Sequence, residues 1–405
     1  MLTSEQNRRL TSVEGDAPLA RLMREIYWIP FSRPEALEIG ATPTRVRLLG
    51  YNYVAWRTKD GQVGFIDERC PHRGASMALA RVEDCGLRCI FHGWVVDPTG
   101  KCIEVPTEGE RSAQVAERVP VNLYTTVEKG GLVWVWLGGG EPPDFPDFSW
   151  LDLPDEHLWI TRSVWPVNWL QGLEAAMDTA HVGYLHSGWP REIREMDDQM
   201  KRFAVNPRFE VEETGYGIRS AGIRECDDGL SLIRISEFLL PFIAMTPGSL
   251  TGQKGEASLY LFVPVDDHNH LQFFGFFSQY EPLGAFGLRD LCTDPDNYVE
   301  VTGSAADNWG QDRTSMDEGH FSGLGEHILW QDAVVQASMG PVADRTRDFL
   351  THIDQGIQGC RQNLLRLIER FEAGEKIDGS MPSITRSVIA RGGLIPSTND
   401  WRNIE

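Results

Sequence analysis

Two short segments, each holding one cysteine and one histidine, constrain this chain more than any other feature of its sequence. The first reads CPHRG from Cys70, and the second reads CIFHGW from Cys89, with sixteen residues between His72 and Cys89. Two thiolates and two imidazoles on two loops suit a tetrahedral metal ion or a 2Fe–2S cluster. Structural zinc sites usually pair their cysteines on one loop. One cysteine and one histidine per loop instead favours a cluster with both thiolates on one iron and both imidazoles on the other.

Composition limits what the rest of the chain does. A net charge of −21 over 405 residues leaves no basic surface for nucleic acid or for an anionic membrane. No apolar run approaches the roughly 18 residues that span a bilayer, and the N-terminus lacks the apolar segment of a secretion signal. Seven cysteines in this length make a disulfide framework unexpected. The chain is therefore interpreted as cytoplasmic.

The pattern of residue types changes near residue 145. After a short helix predicted over 16–26, residues 45–136 alternate Val-, Ile- and Trp-rich runs with Gly, Asp and Pro, which is typical of antiparallel strands. Residues 138–150 read GGGEPPDFPDFSW, which indicates a domain boundary. Beyond it, predicted helices over 167–185 and 344–373 flank strands over 207–282. We predict an α+β protein with domains at 1–145 and 146–405.

The two cysteine–histidine segments resemble the ligand loops of the Rieske iron–sulfur family without a departure. The resemblance implies that Cys70, His72, Cys89 and His92 hold one 2Fe–2S cluster. A structural zinc loop is the alternative reading of the same residues. Two further cysteines fall outside the pattern and are predicted to be buried in strands: Cys85 and Cys102.

A second group of metal-binding residue types lies in the predicted 167–185 helix. Glu174, Asp178 and His181 are spaced i, i+4 and i+7, so we predict that they share one helix face. His186 follows five residues after His181, and Gly183 offers a place for the helix to loosen between them. Two histidines and one carboxylate with open positions form the facial triad of non-haem Fe(II) oxygenases. The alternative is a solvent-facing helix with incidental histidines.

Together the two groups resemble the large subunit of Rieske non-haem iron oxygenases of the phthalate dioxygenase type, over nearly the whole chain. The resemblance implies an N-terminal all-β Rieske domain and a C-terminal helix-grip catalytic domain with an antiparallel sheet and helices. It assigns Asp332, in the segment WQDAVVQ, as the third ligand of a mononuclear Fe(II) beside His181 and His186. Glu174 is then placed near the iron without binding it. Four other nearby carboxylates are rivals of Asp332: Asp312, Asp317, Glu318 and Glu326.

The resemblance also implies partners. The cluster would pass single electrons to the iron that binds O₂ and substrate, so a separate flavin and iron–sulfur reductase would supply electrons from NAD(P)H. No GxGxxG nucleotide motif follows a strand in this chain. Asp178 would link His181 to His92 of a neighbouring subunit, which implies a homo-oligomer, a trimer or two stacked trimers.

The expected reaction is hydroxylation of an aromatic substrate, most simply an aromatic carboxylate. An arginine suits the carboxylate because its planar fork binds both oxygens. The candidate substrate-binding arginines are Arg234 and Arg208, and Ser187 is a candidate hydroxyl donor. Monooxygenation, including demethylation and aryl-ether cleavage, is the alternative within the class. A Rieske electron-transfer or lipid-binding protein is the alternative outside it, and such a protein would not need His181, His186 and Asp332 together.

Overall fold

The computed structural model describes residues 1–187, 206–226, 229–248, 255–284, 287–380 and 383–404. By their contacts these residues form two compact units. The smaller unit comprises residues 13–145 and 377–380. The larger unit comprises residues 1–12, residues 146–376 and the described residues from 383 onwards. No helix in the described ranges is both long and apolar enough to cross a membrane.

Helices are few in the smaller unit and more frequent in the larger one. In chain order, the helices of the described residues are α1 (Ser4–Thr11), α2 (Pro18–Ile26), α3 (Ser112–Ala116), α4 (Trp169–Met177), α5 (Gly287–Asp290), α6 (Arg313–Asp317), α7 (Ile328–Ser338) and α8 (Gln355–Glu372). The sequence predicts α8 from residue 344, but the helix begins at Gln355, directly after a separate 3₁₀ turn, His352–Asp354, that a capping box closes.

The smaller unit is built from three antiparallel sheets. Its strands are β1 (Trp28–Ser32), β2 (Thr44–Leu48), β3 (Tyr51–Arg57), β4 (Val63–Asp67), β5 (Arg81–Glu83), β6 (Gly86–Arg88), β7 (Val95–Val96), β8 (Cys102–Glu104), β9 (Thr125–Lys129) and β10 (Leu132–Trp136). They pair in the orders β1-β10-β9, β2-β3-β4 and β5-β6-β7-β8. The predicted all-β texture is confirmed, and the two cysteine–histidine loops follow β4 and β6.

Two cysteines outside these loops have different surroundings. Cys102 is buried in β8, as predicted. Cys85 is exposed, so the prediction that it is buried in a strand is wrong. The reason is local: Glu83 pairs with Gly86, which leaves Cys85 in the tight turn between β5 and β6.

The larger unit is one eight-stranded antiparallel sheet with helices packed on it. Its strands are β11 (Leu158–Trp165), β12 (Arg208–Glu213), β13 (Gly217–Glu225), β14 (Leu230–Leu239), β15 (Ile243–Pro247), β16 (Glu256–Pro264), β17 (His270–Ser278) and β18 (Arg391–Pro396). The order is β11-β17-β16-β15-β14-β13-β12, and β18 pairs with β14. Helix α4 packs against β14, β15 and β16, and α8 packs against β12 and β13. The predicted α+β class is confirmed.

Residues 1–12 belong to the larger unit, whereas the sequence prediction includes them in the first domain. Asn7 donates to the carbonyl of Ala343 at 3.3 Å, and Arg9 forms an ion pair with Glu372. The backbone N–H of Leu2 donates to the carbonyl of Arg345. These contacts are long-range in sequence, so the local texture of residues 1–145 did not reveal them. The division between 145 and 146 stays a prediction.

Candidate metal centres

The two cysteine–histidine loops close in the same way. The N–H of Gly74 donates to the carbonyl of Cys70 at 2.8 Å, and the N–H of Gly93 donates to the carbonyl of Cys89 at 2.9 Å. Both glycines have positive φ, +74° and +77°, a conformation that other residues rarely adopt. Each glycine therefore lets its loop turn back over its own cysteine.

The two thiols are more deeply buried than the two imidazoles. Cys70 and Cys89 are 4% and 3% exposed, whereas His72 and His92 are partly exposed. Burial raises the pKa of the Cys70 thiol to about 11, and the N–H groups of His72 and Arg73, which bond to its sulfur, oppose the shift. A buried thiol of this kind ionises when a metal binds it. The N–H groups that face the sulfur then stabilise the thiolate.

The two imidazoles lie side by side at the rim. The ring centroids of His72 and His92 are 4.6 Å apart, and His72 stacks on Trp94 at 4.5 Å with 9° between the rings. Nδ1 of His72 is buried without a hydrogen-bond partner among the described residues. Burial, with a smaller contribution from His92, lowers the pKa of His72, which favours the neutral ring that metals bind. The four side chains fit a 2Fe–2S cluster.

The second site begins where α4 ends. The helix stops at Met177, because Asp178 leaves the helical conformation and its Oδ1 accepts the N–H of Ala180 at 2.7 Å. His181 then opens a separate 3₁₀ turn, His181–Gly183. The prediction that Glu174, Asp178 and His181 share one helix face is therefore wrong.

Glu174 takes no part in the metal site. Its carboxylate is buried and forms ion pairs with Arg345 at 2.8 Å and with Arg361 at 2.7 Å. These bonds attach α4 to α8 and to the segment before it. Glu174 is a structural residue here, although the sequence places it near the iron.

His181, His186 and Asp332 converge on one point. Oδ1 of Asp332 lies 3.6 Å from Nε2 of His181 and 3.3 Å from Nε2 of His186. Among the described residues, this is the only group of three or more His, Cys, Asp or Glu side chains whose ligand atoms all lie within 4.8 Å of one another. The rival carboxylates, Asp312, Asp317, Glu318 and Glu326, are not part of it. Asp332 occupies the second turn of α7 rather than its start.

A hydrogen bond orients the His186 imidazole, and a longer ion-pair contact orients that of His181. Nδ1 of His186 lies 2.7 Å from Oε1 of Gln331, and Nδ1 of His181 lies 3.5 Å from Oδ2 of Asp178. In both rings Nε2 is left facing Asp332. Burial alone would raise the pKa of Asp178, but the bonds from His181 and from the N–H of Ala180 lower it overall. Gln331 was not predicted from the sequence; the signal for it is a polar amide next to Asp332 in a mainly apolar helix.

A cavity of about 330 Å³ opens onto His181, His186 and Asp332. Its other walls are mainly aromatic and aliphatic, and include Trp165, Phe262, Phe274, Phe276 and Leu329. Arg234 also lines it, is 7% exposed and donates to the carbonyl of Pro247 at 3.3 Å. Burial, with a smaller contribution from Arg224, lowers the pKa of Arg234 to about 10, so the guanidinium stays charged at neutral pH.

The other two predicted substrate residues lie outside this cavity. Arg208 is the exposed first residue of the edge strand β12 and pairs with Glu210. Ser187 donates to the carbonyl of Tyr184 at 2.7 Å. Neither residue is among the described residues that line the cavity. Arg208 lies outside the cavity because it is exposed on the edge of the sheet, and Ser187 because its hydroxyl bonds within a local turn.

Comparison with known proteins finds a family match for each part of the chain. Residues 27–124 match the family described as Rieske [2Fe-2S] domain, and residues 135–405 match the family described as LigXa C-terminal domain like. The chain is 32% identical over 425 residues to the 3-chlorobenzoate-3,4-dioxygenase oxygenase subunit of Comamonas testosteroni, covering 99% of this chain and 97% of that subunit. The chain belongs to the Rieske non-haem iron oxygenases. It is an oxygenase subunit.

Two further comparisons extend over most of this Rieske oxygenase subunit. It is 32% identical over 426 residues to the phthalate 4,5-dioxygenase oxygenase subunit of Pseudomonas putida, covering 100% of this chain and 95% of that one. The crystal structure of dicamba monooxygenase bound to dicamba matches with a TM-score of 0.59 and 18% identity, covering 87% of this chain and 99% of that one. The structural match supports the fold.

Membership of the family defines the two cofactors of this Rieske oxygenase. The Rieske domain carries a 2Fe–2S cluster, and the catalytic domain carries a mononuclear iron. The donor types fit both groups: two buried thiols and two rim imidazoles for the cluster, and two imidazoles and one carboxylate for the iron. The enzyme is an oxidoreductase that uses O₂.

Proposed function

We propose that this oxygenase subunit hydroxylates an aromatic carboxylate, using O₂ and electrons from a separate reductase. One observation carries the substrate class: the buried guanidinium of Arg234 lines the same cavity as His181, His186 and Asp332. A guanidinium in an apolar cavity binds a carboxylate with two parallel hydrogen bonds. The names of the chlorobenzoate and phthalate enzymes support the same class.

In this proposal Cys70 and Cys89 bind one iron of the cluster, and His72 and His92 bind the other. A single tetrahedral zinc would bring its four ligand atoms within about 4 Å of one another. No three ligand atoms of these four described residues gather within 4.8 Å. Their wider spacing supports a two-iron cluster over the zinc alternative.

The mononuclear iron is assigned to His181, His186 and Asp332. Three ligands on one side would leave open coordination positions on a bound iron, which would supply O₂ activation next to the substrate. The protein orients the ligands through Gln331 and Asp178, and it positions the substrate ring against the aromatic wall of the cavity. Arg234 would fix which ring edge faces the iron.

Electrons would reach the subunit from a reductase that contains a flavin and an iron–sulfur centre and oxidises NAD(P)H. We propose that Asp178 links His181 to His92 of a neighbouring copy, in a trimer or in two stacked trimers. The support is the position of Asp178: its carboxylate is partly exposed, and one oxygen already faces Nδ1 of His181. The oligomer is measured directly by light scattering on the purified protein.

The experiment that tests the function combines the purified holoprotein with a Rieske-oxygenase reductase and NADH. Substituted benzoates and their neutral methyl esters are offered in parallel, and products and O₂ uptake are measured. We expect product from the acids, and we expect Arg234→Gln to raise KM strongly. The matched control Arg208→Gln should behave as wild type, because Arg208 lies outside the cavity. Equal turnover of acids and esters would contradict the proposal.

The products also separate the two reaction types. A cis-dihydrodiol that contains both oxygen atoms of one O₂ identifies dioxygenation. A phenol or a demethylated product that contains one oxygen atom identifies monooxygenation, which is the second candidate. The same iron site supports both, because the pocket decides which bond lies nearest to the iron.

A further inference from the structure

Three hydroxyl groups lie side by side on the sheet wall of the cavity. Thr246 on β15 pairs directly with Ser258 on β16. On the other side of β15, Ser236 directly precedes Glu237, which pairs with Met245. Ser236 and Ser258 are 2% and 5% exposed, and all three residues line the cavity. Adjacent strands are about 4.8 Å apart, so the hydroxyls form a short row.

Tyr260 extends this row. It lies two residues beyond Ser258 on the same face of β16 and lines the same cavity. Arg234 lies two residues before Ser236 on the same face of β14. We call Ser236, Thr246, Ser258 and Tyr260 the hydroxyl cluster. One cavity wall therefore combines a single guanidinium with four hydroxyls.

The surroundings of the hydroxyl cluster are apolar. Phe274 and Phe276 on β17 continue the same sheet face, and Trp165 and Leu329 also line the cavity. Hydroxyl groups in an apolar cavity are costly unless they bond to one another or to a ligand. A row of donors and acceptors inside a substrate cavity is therefore a recognition surface, since sheet packing alone would favour apolar residues there.

The charges of the cavity limit what this surface binds. Arg234 is the only lysine or arginine among the described residues that line the cavity, and Asp178 and Asp332 line it too. One guanidinium compensates one carboxylate. Asp178 and Asp332 together would offset the two charges of a bound Fe(II). A second carboxylate at the hydroxyl cluster would therefore be buried without a cation of its own, which is unfavourable.

We propose that the hydroxyl cluster recognises a neutral oxygen substituent, a hydroxyl or alkoxy group, on the ring of a substrate whose single carboxylate binds Arg234. This inference rests on the proposed function and makes it narrower. It selects hydroxy- and alkoxybenzoates over benzene dicarboxylates. Thr246, Ser258 and Tyr260 are then specificity-determining residues for the oxygenase.

The test is equilibrium binding to the purified holoprotein by titration calorimetry, without reductase. The probes are benzoate, the three hydroxybenzoates, 3-methoxybenzoate, phthalate and methyl benzoate. We expect at least one hydroxybenzoate or the methoxybenzoate to bind about tenfold more tightly than benzoate, and phthalate to bind more weakly than benzoate. Thr246→Val and Ser258→Ala should remove the tenfold gain, so that the oxygen-substituted benzoate binds no more tightly than benzoate.

Ser220→Ala is the matched control. Ser220 on β13 pairs with Ser236 and is fully buried, but it does not line the cavity. It should leave every affinity unchanged, and the Rieske absorption of each variant reports folding. Tighter binding of phthalate than of all hydroxybenzoates would overturn the hydroxyl-cluster proposal while the aromatic-acid function stands. Equal binding of benzoate and methyl benzoate would instead overturn the proposed function itself.

Discussion

Nδ1 of His186 lies 2.7 Å from Oε1 of Gln331, the residue directly before Asp332. The orientation of this amide is determined because its Nε2 donates to the carbonyl of Gly325 at 2.5 Å. An amide oxygen only accepts, so Nδ1 of His186 carries the proton. Nε2 then presents its lone pair towards Asp332. One helix, α7, therefore supplies both a ligand candidate and the group that orients another ligand.

We expect Gln331→Leu to weaken mononuclear iron binding by roughly 10- to 100-fold, as is typical when the hydrogen-bond partner of a ligating histidine is removed. Iron titration of the metal-depleted catalytic site measures this, and the Rieske spectrum serves as the internal reference. Gln336→Leu is the matched control, because Gln336 lies on the same helix and its Oε1 has no partner among the described residues. Equal iron affinity in both variants would show that Gln331 does not orient the ligand.

Asp332→Ala should empty the mononuclear site and leave the Rieske centre intact. The carboxylate is the only anionic member of the three-residue group, so its loss removes charge as well as a ligand. Iron per subunit should fall by one third, because two of the three irons belong to the cluster. Asp317→Ala, at an exposed rival carboxylate, should keep full iron content. If Asp332→Ala retained its mononuclear iron, the ligand would have to be another carboxylate.

The parts of the two sites that were predictable from sequence are local. Cys70 and Gly74 are four residues apart, as are Cys89 and Gly93, so one loop contains both the ligand and the turn that shapes it. The short spacing of His181 and His186 is equally local. Arg234 was predicted from the apolar strand around it, and the structure places it in the cavity.

The parts that were not predictable depend on contacts distant in sequence or on competing local bonds. Asp178 ends α4 by accepting the N–H of Ala180, which an ideal helical spacing does not show. Arg345 and Arg361 lie more than 170 residues further along the chain than Glu174. Their bonds to its carboxylate hold it away from the metal site. Arg208 resembles Arg234 in its sequence context, but it lies on an edge strand rather than in the centre of the sheet.

His72→Cys should lower the reduction potential of the Rieske centre, because a thiolate adds negative charge where a neutral imidazole stood. The expected change is on the order of 100 mV or more. Spectroelectrochemical titration of the purified protein measures it. Cys85→Ser is the control, since the exposed Cys85 lies outside both loops, and it should change neither the potential nor the cluster content. An unchanged potential in a His72→Cys protein with a full cluster would argue against His72 as a ligand.

Because of His270, the free energy of unfolding of the larger unit should decrease as the pH falls. Its ring is fully buried, and burial lowers its pKa to about 4, although the carbonyl of Val167 and the amide of Gln272 oppose the shift. The unfolded chain, with an ordinary pKa near 6.5, binds the proton first as the pH falls. The free energy of unfolding should therefore decrease between pH 6.5 and pH 4, by on the order of 3 kcal/mol.

Denaturant unfolding at several pH values, followed by tryptophan fluorescence, measures this slope for wild type and for His270→Gln. The variant should be less stable at pH 7 and should show a shallower decrease between pH 6.5 and pH 4. His268→Gln is the matched control, because His268 is exposed two residues away. An identical pH dependence in His270→Gln and wild type would assign the acid sensitivity to other groups.

Asp178→Asn should separate iron binding from electron transfer. Asn keeps an oxygen that accepts the N–H of Ala180, so the turn after α4 should persist. At saturating iron, the iron content and the Rieske spectrum should be those of wild type, because Asp178 is not in the three-residue metal group. The charge that orients His181 and is proposed to reach His92 of a neighbouring copy is lost, which weakens a charge-assisted bond. In single turnovers of fully reduced protein with O₂ and a bound aromatic acid, oxidation of the Rieske centre should slow by at least 100-fold.

The control variant, Asp317→Asn, should oxidise its cluster at the native rate. A native rate in Asp178→Asn would remove the main support for electron transfer between neighbouring subunits, and light scattering on the same samples would show whether the oligomer itself had changed.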